Sequence, residues 1–323
     1  MGAKDTKAKE FLSNNERFAD LFNYYLFKGR QVIRPEDLEE RDTTEVLSLY
    51  GRGKKEIQKQ KWRDLLKHAI IKATETAVFV LLGIENQNDI HYAMPVKNMG
   101  YDVMNYGAQV TEAAARHKKD KDYGSDAEFL SGFHKEDKLT PVITLTVYWG
   151  ADKWDAPRSL YEMFAMSDPQ ILKYVNDYHL HLIVPNEITD FSKFRTSLRE
   201  VLEIIKASDD REKMKEVLEG NPRYKDLENE AVSAINVFTG LKVPVNQKER
   251  KTDMCKAWED QKCIGMAEGT IDLLEDIGKP SSELRNLIMG QTDLEVLRNW
   301  HKLAARAKSV EEFEQKAGLL ERV

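Results

Sequence analysis

Cysteine is nearly missing. Cys255 and Cys263 are the only two in 323 residues, eight positions apart, with no CxxC pair and no paired histidines. That excludes a disulfide scaffold and a zinc knuckle, and it favours a reducing cytoplasm. On a helix a spacing of eight puts the two thiols two turns apart, too far for a disulfide, so both are expected to be free. No apolar run approaches the roughly 20 residues of a membrane-spanning helix. The opening MGAKDTKAKEFL lacks the apolar stretch of a secretory signal, and its match to the loose MGxxxT myristoylation pattern is read as chance. With 9 Pro and 17 Gly, collagen and low-complexity chain are excluded. Excess positive charge is absent as well. Lys and Arg number 49 against 55 Asp and Glu, a net charge of −6, so attraction to nucleic acid has to come from a local patch.

What is present describes a packed chain. Hydrophobic residues make up 41%, charged residues 32%, and 5 Trp, 12 Tyr and 12 Phe argue against disorder. The length suits about two domains. Five places carry the hydroxyl-and-carboxylate spacing of a capping box, in which each side chain satisfies a free amide of the first turn. They are Ser13/Glu16, Ser125/Glu128, Ser159/Glu162, Thr292/Glu295 and Ser309/Glu312. The first opens an amphipathic helix with Phe18, Leu21, Phe22 and Tyr25 on one face, followed by an acidic loop at 35–45. Residues 76–87, 140–150 and 178–185 read as buried strands, alternating with helical stretches as in an α/β core on a mixed sheet. Past residue 200 helical periodicity takes over and strand signals vanish. The organisation expected is a first domain over 1–205, a helical connector over 206–270 and a small helical domain over 271–323, set off by the Gly-Lys-Pro-Ser-Ser break at 278–282.

Two features carry chemistry. Residues 51–72 hold Arg52, Lys54, Lys55, Lys59, Lys61, Arg63, Lys67 and Lys72 against only Glu56 and Asp64, a local charge of +6. Such a segment can neutralise several phosphates; the plain alternative is a solvated loop. Further on, the strand ends in Glu85, Asn86 and Gln87. Alternation sends Glu85 and Gln87 to one face and Asn86 to the other. A carboxylate at a strand end, with a second on a neighbouring element, can hold Mg²⁺ through hard oxygen ligands, and a polar side chain two residues on can position water. The plain alternative here is a strand that ends in a polar turn.

Asp64 followed by a strand ending Glu85-x-Gln87 resembles the D…ExQ variant of the PD-(D/E)xK nuclease motif. The chain is similar to the recombination-promoting nucleases, the YhgA-like transposases of PD-(D/E)xK type, over most of its first 200 residues. The segments that carry the likeness are FADLFN at 18–23, RDLL at 63–66, VFVLLGIENQ at 78–87, PVKNMGYDVMNY at 95–106, FLSGFHKEDKLTPVITLTVYWG at 129–150 and DKWDAPRSLYEMF at 152–164. The final segment looks like a small helical domain that trails such nucleases. The resemblance implies a restriction-endonuclease-like α/β core, a mixed central sheet flanked by helices, followed by an all-helical C-terminal region. It implies Asp64 and Glu85 as metal ligands, with the Asn86 carbonyl beside them, for Mg²⁺ or alternatively Mn²⁺ or Ca²⁺. Gln87 stands where the superfamily has lysine; it can orient water but carries no charge and transfers no proton. An acidic residue in the first helix belongs to the pattern, and Asp20 is the candidate, with Glu16 behind it. Lys97 and Tyr101 fall on the helix after the motif strand, near the scissile phosphate.

The activity this implies is metal-dependent hydrolysis of DNA phosphodiesters in the cytoplasm, without a membrane. Lys54, Lys55, Lys59, Lys61 and Arg63 would supply phosphate contacts, helped by a loop at 116–122, and a homodimer would cut two strands. Two other readings stand beside it: a catalytically degenerate member that binds DNA or a protein, and a C-terminal oligomerisation module with the nuclease fold as scaffold. His179 and His181 alternate on a strand but are too few for a metal site, and Tyr148 and Trp149 read as core.

Overall fold

The computed structural model describes residues 2–41, 44–45, 60–61, 64–71, 78–165, 168–245 and 249–319. It divides into two compact units, Met1–Val217 with Val237–Thr239, and Leu218–Asn236 with Gly240–Val323.

A five-stranded mixed sheet organises the first unit, its strands lying side by side in chain order: β1 (Leu38–Glu40), β2 (Leu65–Ile71), β3 (Val78–Gln87), β4 (Val142–Tyr148) and β5 (His181–Ile183). β1, β2 and β3 run antiparallel to their neighbours, whereas β3, β4 and β5 run parallel. The change of sense needs a crossover, and a 27-residue helix, α3 (Met94–Asp120), supplies it between β3 and β4. The mixed α/β class expected from the sequence is what the chain forms.

The two faces of the sheet differ in chemistry. One carries the fully buried Leu82, Ile84, Leu145 and Val147, and meets α1 (Ala3–Ser13). Lys67 also points to that side, where its Nζ donates to the Ser13 carbonyl at 2.6 Å and to Asn15 Oδ1 at 2.5 Å. It is 2% exposed and so is withdrawn from the basic 51–72 run. The other face turns Glu85, Thr144 and Thr146 toward α3, which answers with Asn98 and Asp102: Asn98 Nδ2 donates to Thr146 Oγ1 at 2.9 Å, and Thr144 Oγ1 donates to Asp102 at 2.5 Å.

Several local expectations shift. For LLKHAII local propensity allows a helix and the family pattern a strand; seven consecutive pairs with β3, from Leu65↔Ile84 to Ile71↔Val78, decide for the strand. The acidic stretch after the second helix is not all loop; it contains β1, a charged edge strand that pairs Glu40 with Lys67. Residues 116–120 of the basic RHKKDKD run lie on the last turns of α3 rather than in a loop. The caps of two helices move by one residue, since Asn14 caps α2 (Asn15–Phe27) and Asp293 caps the helix Leu294–Ala304; amide and carboxylate oxygens do this as well as serine and threonine hydroxyls. Ser159 and Glu162 start only a short turn, Tyr161–Met163.

The second unit is helical, apart from a two-residue antiparallel ribbon that pairs Leu227–Glu228 with Lys251–Thr252, so the all-helical expectation fails there. Its core gathers Ala267 and Leu274 of the helix Met254–Ile277 with Leu284, Ile288, Leu297, Trp300 and Phe313 of the three short helices after Gly278. Cys255 and Cys263 are both free thiols. Among the described residues no helix is long and apolar enough to cross a membrane.

Asp20, on α2, is 1% exposed. Its carboxylate accepts the Arg195 amide at 2.9 Å, the Thr196 amide at 2.8 Å and the Thr196 hydroxyl at 2.7 Å. These groups lead into the helix α5 (Leu198–Ala207), so Asp20 joins two helices that lie far apart in sequence. Hydrogen bonds to an ionised acceptor contribute about 1.5–3 kcal/mol each before non-additivity. Asp20→Ala is therefore expected to destabilise the first unit by about 2–4 kcal/mol, read as a fall in its urea midpoint.

Candidate active site

The site is set by strand register. β2 and β3 pair up to Leu65↔Ile84, and Asp64 follows just beyond the last pair, lining the same cleft as Glu85 and close enough for its charge to act on it. Asp64 is held by its neighbour on the other strand: its Oδ2 accepts the Asn86 amide at 2.9 Å and Asn86 Nδ2 at 3.2 Å. Asn86, only 5% exposed, is itself locked, because its Oδ1 accepts the Trp149 indole N–H at 2.8 Å. Its side-chain oxygen is thus committed to Trp149, and its amide positions Asp64.

Glu85 is 6% exposed. One oxygen, Oε1, accepts Lys97 Nζ at 2.6 Å and Gln87 Nε2 at 3.1 Å. The other, Oε2, is buried and has no hydrogen-bond partner among the described residues. Burial raises the Glu85 pKa to about 7; Lys97 and the Tyr101 hydroxyl pull it down, while the Asp64 charge pushes it up. A buried carboxylate oxygen without a hydrogen-bond partner, near a second carboxylate, fits a hard cation bound through oxygen.

Lys97 and Tyr101 sit one turn apart on α3 and reach the same carboxylate. A cleft of about 410 Å³ opens here, and among the residues that line it are Asp5, Asp64, Glu85, Gln87, Asp89 and Lys97. Four carboxylates against one ammonium leave it acidic. A larger cleft, about 820 Å³, lies elsewhere, between α3 and the β1–β2 edge near Arg41 and His68; it is lined by Arg116 of the 116–122 run but by none of the carboxylates predicted for the site.

The structure thus brings together Asp64, Glu85, Asn86, Gln87 and Lys97, with Tyr101 against Glu85. Asp20 is not among the residues of this cleft; its carboxylate is taken up beside α5, and Glu16 is exposed on the first turn of α2. The acidic residue that α1 delivers is Asp5, whose carboxylate pairs with the Asn88 side-chain amide and accepts the Gly2 amide at 3.1 Å. Sequence reasoning missed Asp5 because it lies 59 residues before Asp64, with no motif around it. Lys54, Lys55, Lys59 and Arg63 lie outside the described residues, and of Lys61 only the backbone is described, in a short ribbon of Gln60–Lys61 with Thr44–Glu45. His181 packs edge-on against Tyr25 and shares a 3.2 Å hydrogen bond with its hydroxyl, while the side chain of His179 is 76% exposed. Tyr148 and Trp149 are buried core residues.

A mixed α/β sheet with carboxylates gathered at the end of its central strand is the class of protein that these elements define. Residues 5–223 match the family model described as "Putative transposase, YhgA-like", and the chain belongs to that family. No curated protein and no solved structure matches the chain. The family match ends before the helices from Met254 onward.

Because Asn86 links Trp149 to Asp64, Asn86→Ala leaves the buried indole N–H unpaired and removes the side-chain one of the two hydrogen bonds that Asn86 gives Asp64. It is expected to lower stability by about 1–3 kcal/mol, measured by urea denaturation.

Proposed function

We propose that the chain is a divalent-metal-dependent DNA endonuclease with a core of the PD-(D/E)xK type. The observation that carries this reading is that Asp64 and Glu85 line one cleft at the end of β2 and β3, where a Glu85 oxygen is buried and has no hydrogen-bond partner among the described residues. Membership in a transposase-like family supports DNA as the substrate.

Asp64 and Glu85 would hold Mg²⁺, Mn²⁺ or Ca²⁺, with the Asn86 carbonyl near enough in sequence to join them. When bound, the cation polarises a phosphate oxygen and lowers the pKa of coordinated water. The chain's own residues supply the rest. Asn86 holds Asp64 at the mouth of the cleft, so the first ligand is preorganised. Gln87, on the Glu85 face, presents a neutral amide that orients water through hydrogen bonds. Lys97 replaces the charge that Gln87 lacks: its ammonium, anchored on α3, reaches the same carboxylate from the helix side and is placed to stabilise charge developing on the phosphate. Lys54, Lys55, Lys59, Lys61 and Arg63, in the basic run just before Asp64, would contact the DNA backbone, giving an acidic protein a local means of approach. Cleavage of both strands with one site per chain calls for a homodimer.

Nicking of supercoiled plasmid at low salt with Mg²⁺, Mn²⁺ or Ca²⁺ tests the reading. Wild type is expected to nick, Asp64→Ala and Glu85→Ala to lose activity, and Lys97→Met to fall roughly 10²–10³-fold, the cost of removing one preorganised charge-stabilising group. Metal-dependent cutting that survives in both carboxylate variants would refute it. Absence of cutting with DNA binding intact would point instead to a binding protein that keeps the fold.

A further inference from the structure

A histidine that the proposed reaction does not use stands between two carboxylates, at the far end of α3 from Lys97. His117 lies on the last turn of that helix, its side chain only 7% exposed. Its Nδ1 is 3.0 Å from Asp122 Oδ1, in the segment that follows the helix. Its Nε2 is 2.8 Å from Asp137 Oδ2, in the segment leading into β4. An ionised carboxylate only accepts hydrogen bonds, so each ring nitrogen has to carry a proton, and both do so only in the imidazolium. The ring of His134 stacks on that of His117, with centroids 3.4 Å apart and 20° between planes. Two charged rings so placed would repel, so the pair carries one charge and His117 holds it. His134 Nε2 is buried, has no hydrogen-bond partner among the described residues, and stands 3.7 Å from Asp122 Oδ1, too far for a hydrogen bond.

The groups that face the ring come from every element around it. From α3, Arg116 donates to Asp137 Oδ1 at 3.1 Å, and the same guanidinium nitrogen stands 3.3 Å from His117 Nε2. From the segment after the helix come Asp122 and Tyr123, whose ring lies 6.4 Å from that of His117. From α4 (Asp126–Ser131) comes the charge of Glu128, whose carboxylate accepts the Gly124 and Lys135 amides at 2.8 and 3.2 Å. From the approach to β4 come His134 and Asp137, joined by the His134 amide at 2.9 Å. Burial by itself would lower the His117 pKa; Asp122 and Asp137 outweigh it and hold the ring above the ordinary histidine value. Gly132 adopts φ +70°, and a Cβ there would come 2.7 Å from Ala114 Cβ, so only glycine lets the segment carrying His134 fold back onto α3. The segment so fastened supplies Phe133, Lys138 and Leu139 to the wall of the larger cleft.

We propose that His117 is a proton-operated clasp, which as imidazolium fastens residues 121–139 to the end of α3 and releases its hold on them when the ring proton is lost. A neutral imidazole donates through one nitrogen only. One of the two carboxylates must then meet a lone pair, and an attraction on that side becomes a repulsion. Because folding raises the ring's pKa, this stabilisation is fully present below the ordinary histidine value of 6.5 and is lost as pH rises through the raised one. The segment is held tightest in mildly acid solution and works loose in mildly alkaline solution, taking the cleft wall of Phe133 and Leu139 with it. The residues that line the Asp64–Glu85 cleft are not among those of the clasp, so the device is separate from the proposed metal site.

The test combines imidazole nitrogen NMR of the full chain, labelled at histidine with ¹⁵N, and amide hydrogen exchange. His117, identified by the signal lost in His117→Gln, is expected to be protonated on both nitrogens in mildly acid solution. It should lose its proton at a higher pH than the histidines of the urea-unfolded chain. Across that titration the amides of 122–137 should exchange at least about 10-fold faster than the intrinsic pH dependence accounts for, and those of β3 and β4 should not. Asp122→Asn and Asp137→Asn should each move the His117 titration down toward the unfolded value and speed exchange in the segment, whereas Asp64→Asn should change neither. Should Asp137→Asn fail to fold by circular dichroism, Asp122→Asn decides, since that side chain is 45% exposed. The proposal is overturned if His117 carries one proton throughout, if it titrates at or below the unfolded value, if both Asn variants leave its titration in place, or if exchange in the segment does not follow it.

Discussion

The antiparallel register of β2 on β3 is the constraint on which the site depends. The pairing of Leu65 with Ile84 brings Asp64 into the same cleft as Glu85, and a slip of one residue would send Glu85 to the apolar face beneath α1. That slip is opposed from both sides. Leu82 and Ile84 are fully buried on one face, so moving them toward α3 would exchange apolar contacts for a layer of threonine, asparagine and aspartate. Lys67, bound to Ser13 and Asn15, anchors β2 to the opposite side in the same phase. Hydrophobic burial on one face thereby sets the geometry of charge on the other.

Helix α3 is the second half of the design. Its buried face mixes apolar residues, Met94, Pro95, Met104 and Ala113, with Asn98, Tyr101, Asn105 and His117, which carry hydrogen-bonding groups. A wholly apolar face would leave Glu85 and the threonines of β4 without partners, so the helix packs through hydrogen bonds over the part of the sheet that carries function. Lys97 borders this face and gives Glu85 its only cation among the described residues. One ammonium does not neutralise a cleft that also holds Asp5, Asp64 and Asp89, and this imbalance makes a divalent ion the natural complement.

Much of this was legible before any fold. β3 and β4 announced themselves as short apolar runs, and Glu85 with Gln87 followed from strand alternation alone. The pairing with Asp64 came from resemblance to a family, because nothing local says that LLKHAII is a strand; its partner decides that. β1 was hidden by its charge, since an edge strand needs few apolar residues. Asp20 looked like a site residue because it sits in a recognisable motif, yet the groups that bind it are 175 residues away, beyond the reach of any local pattern. Asp5 was missed for the same reason: α1 brings it to the cleft, and nothing in the sequence around it signals that.

Binding of Mn²⁺ tests the central claim, that Asp64 and Glu85 form one divalent-cation site, most directly. Titration of the full chain followed by the electron paramagnetic resonance of free Mn²⁺ should reveal one bound ion per chain, competed by Mg²⁺ and abolished by either Asp64→Asn or Glu85→Gln. Uptake of no ion, or uptake unchanged when both carboxylates are replaced, would contradict it.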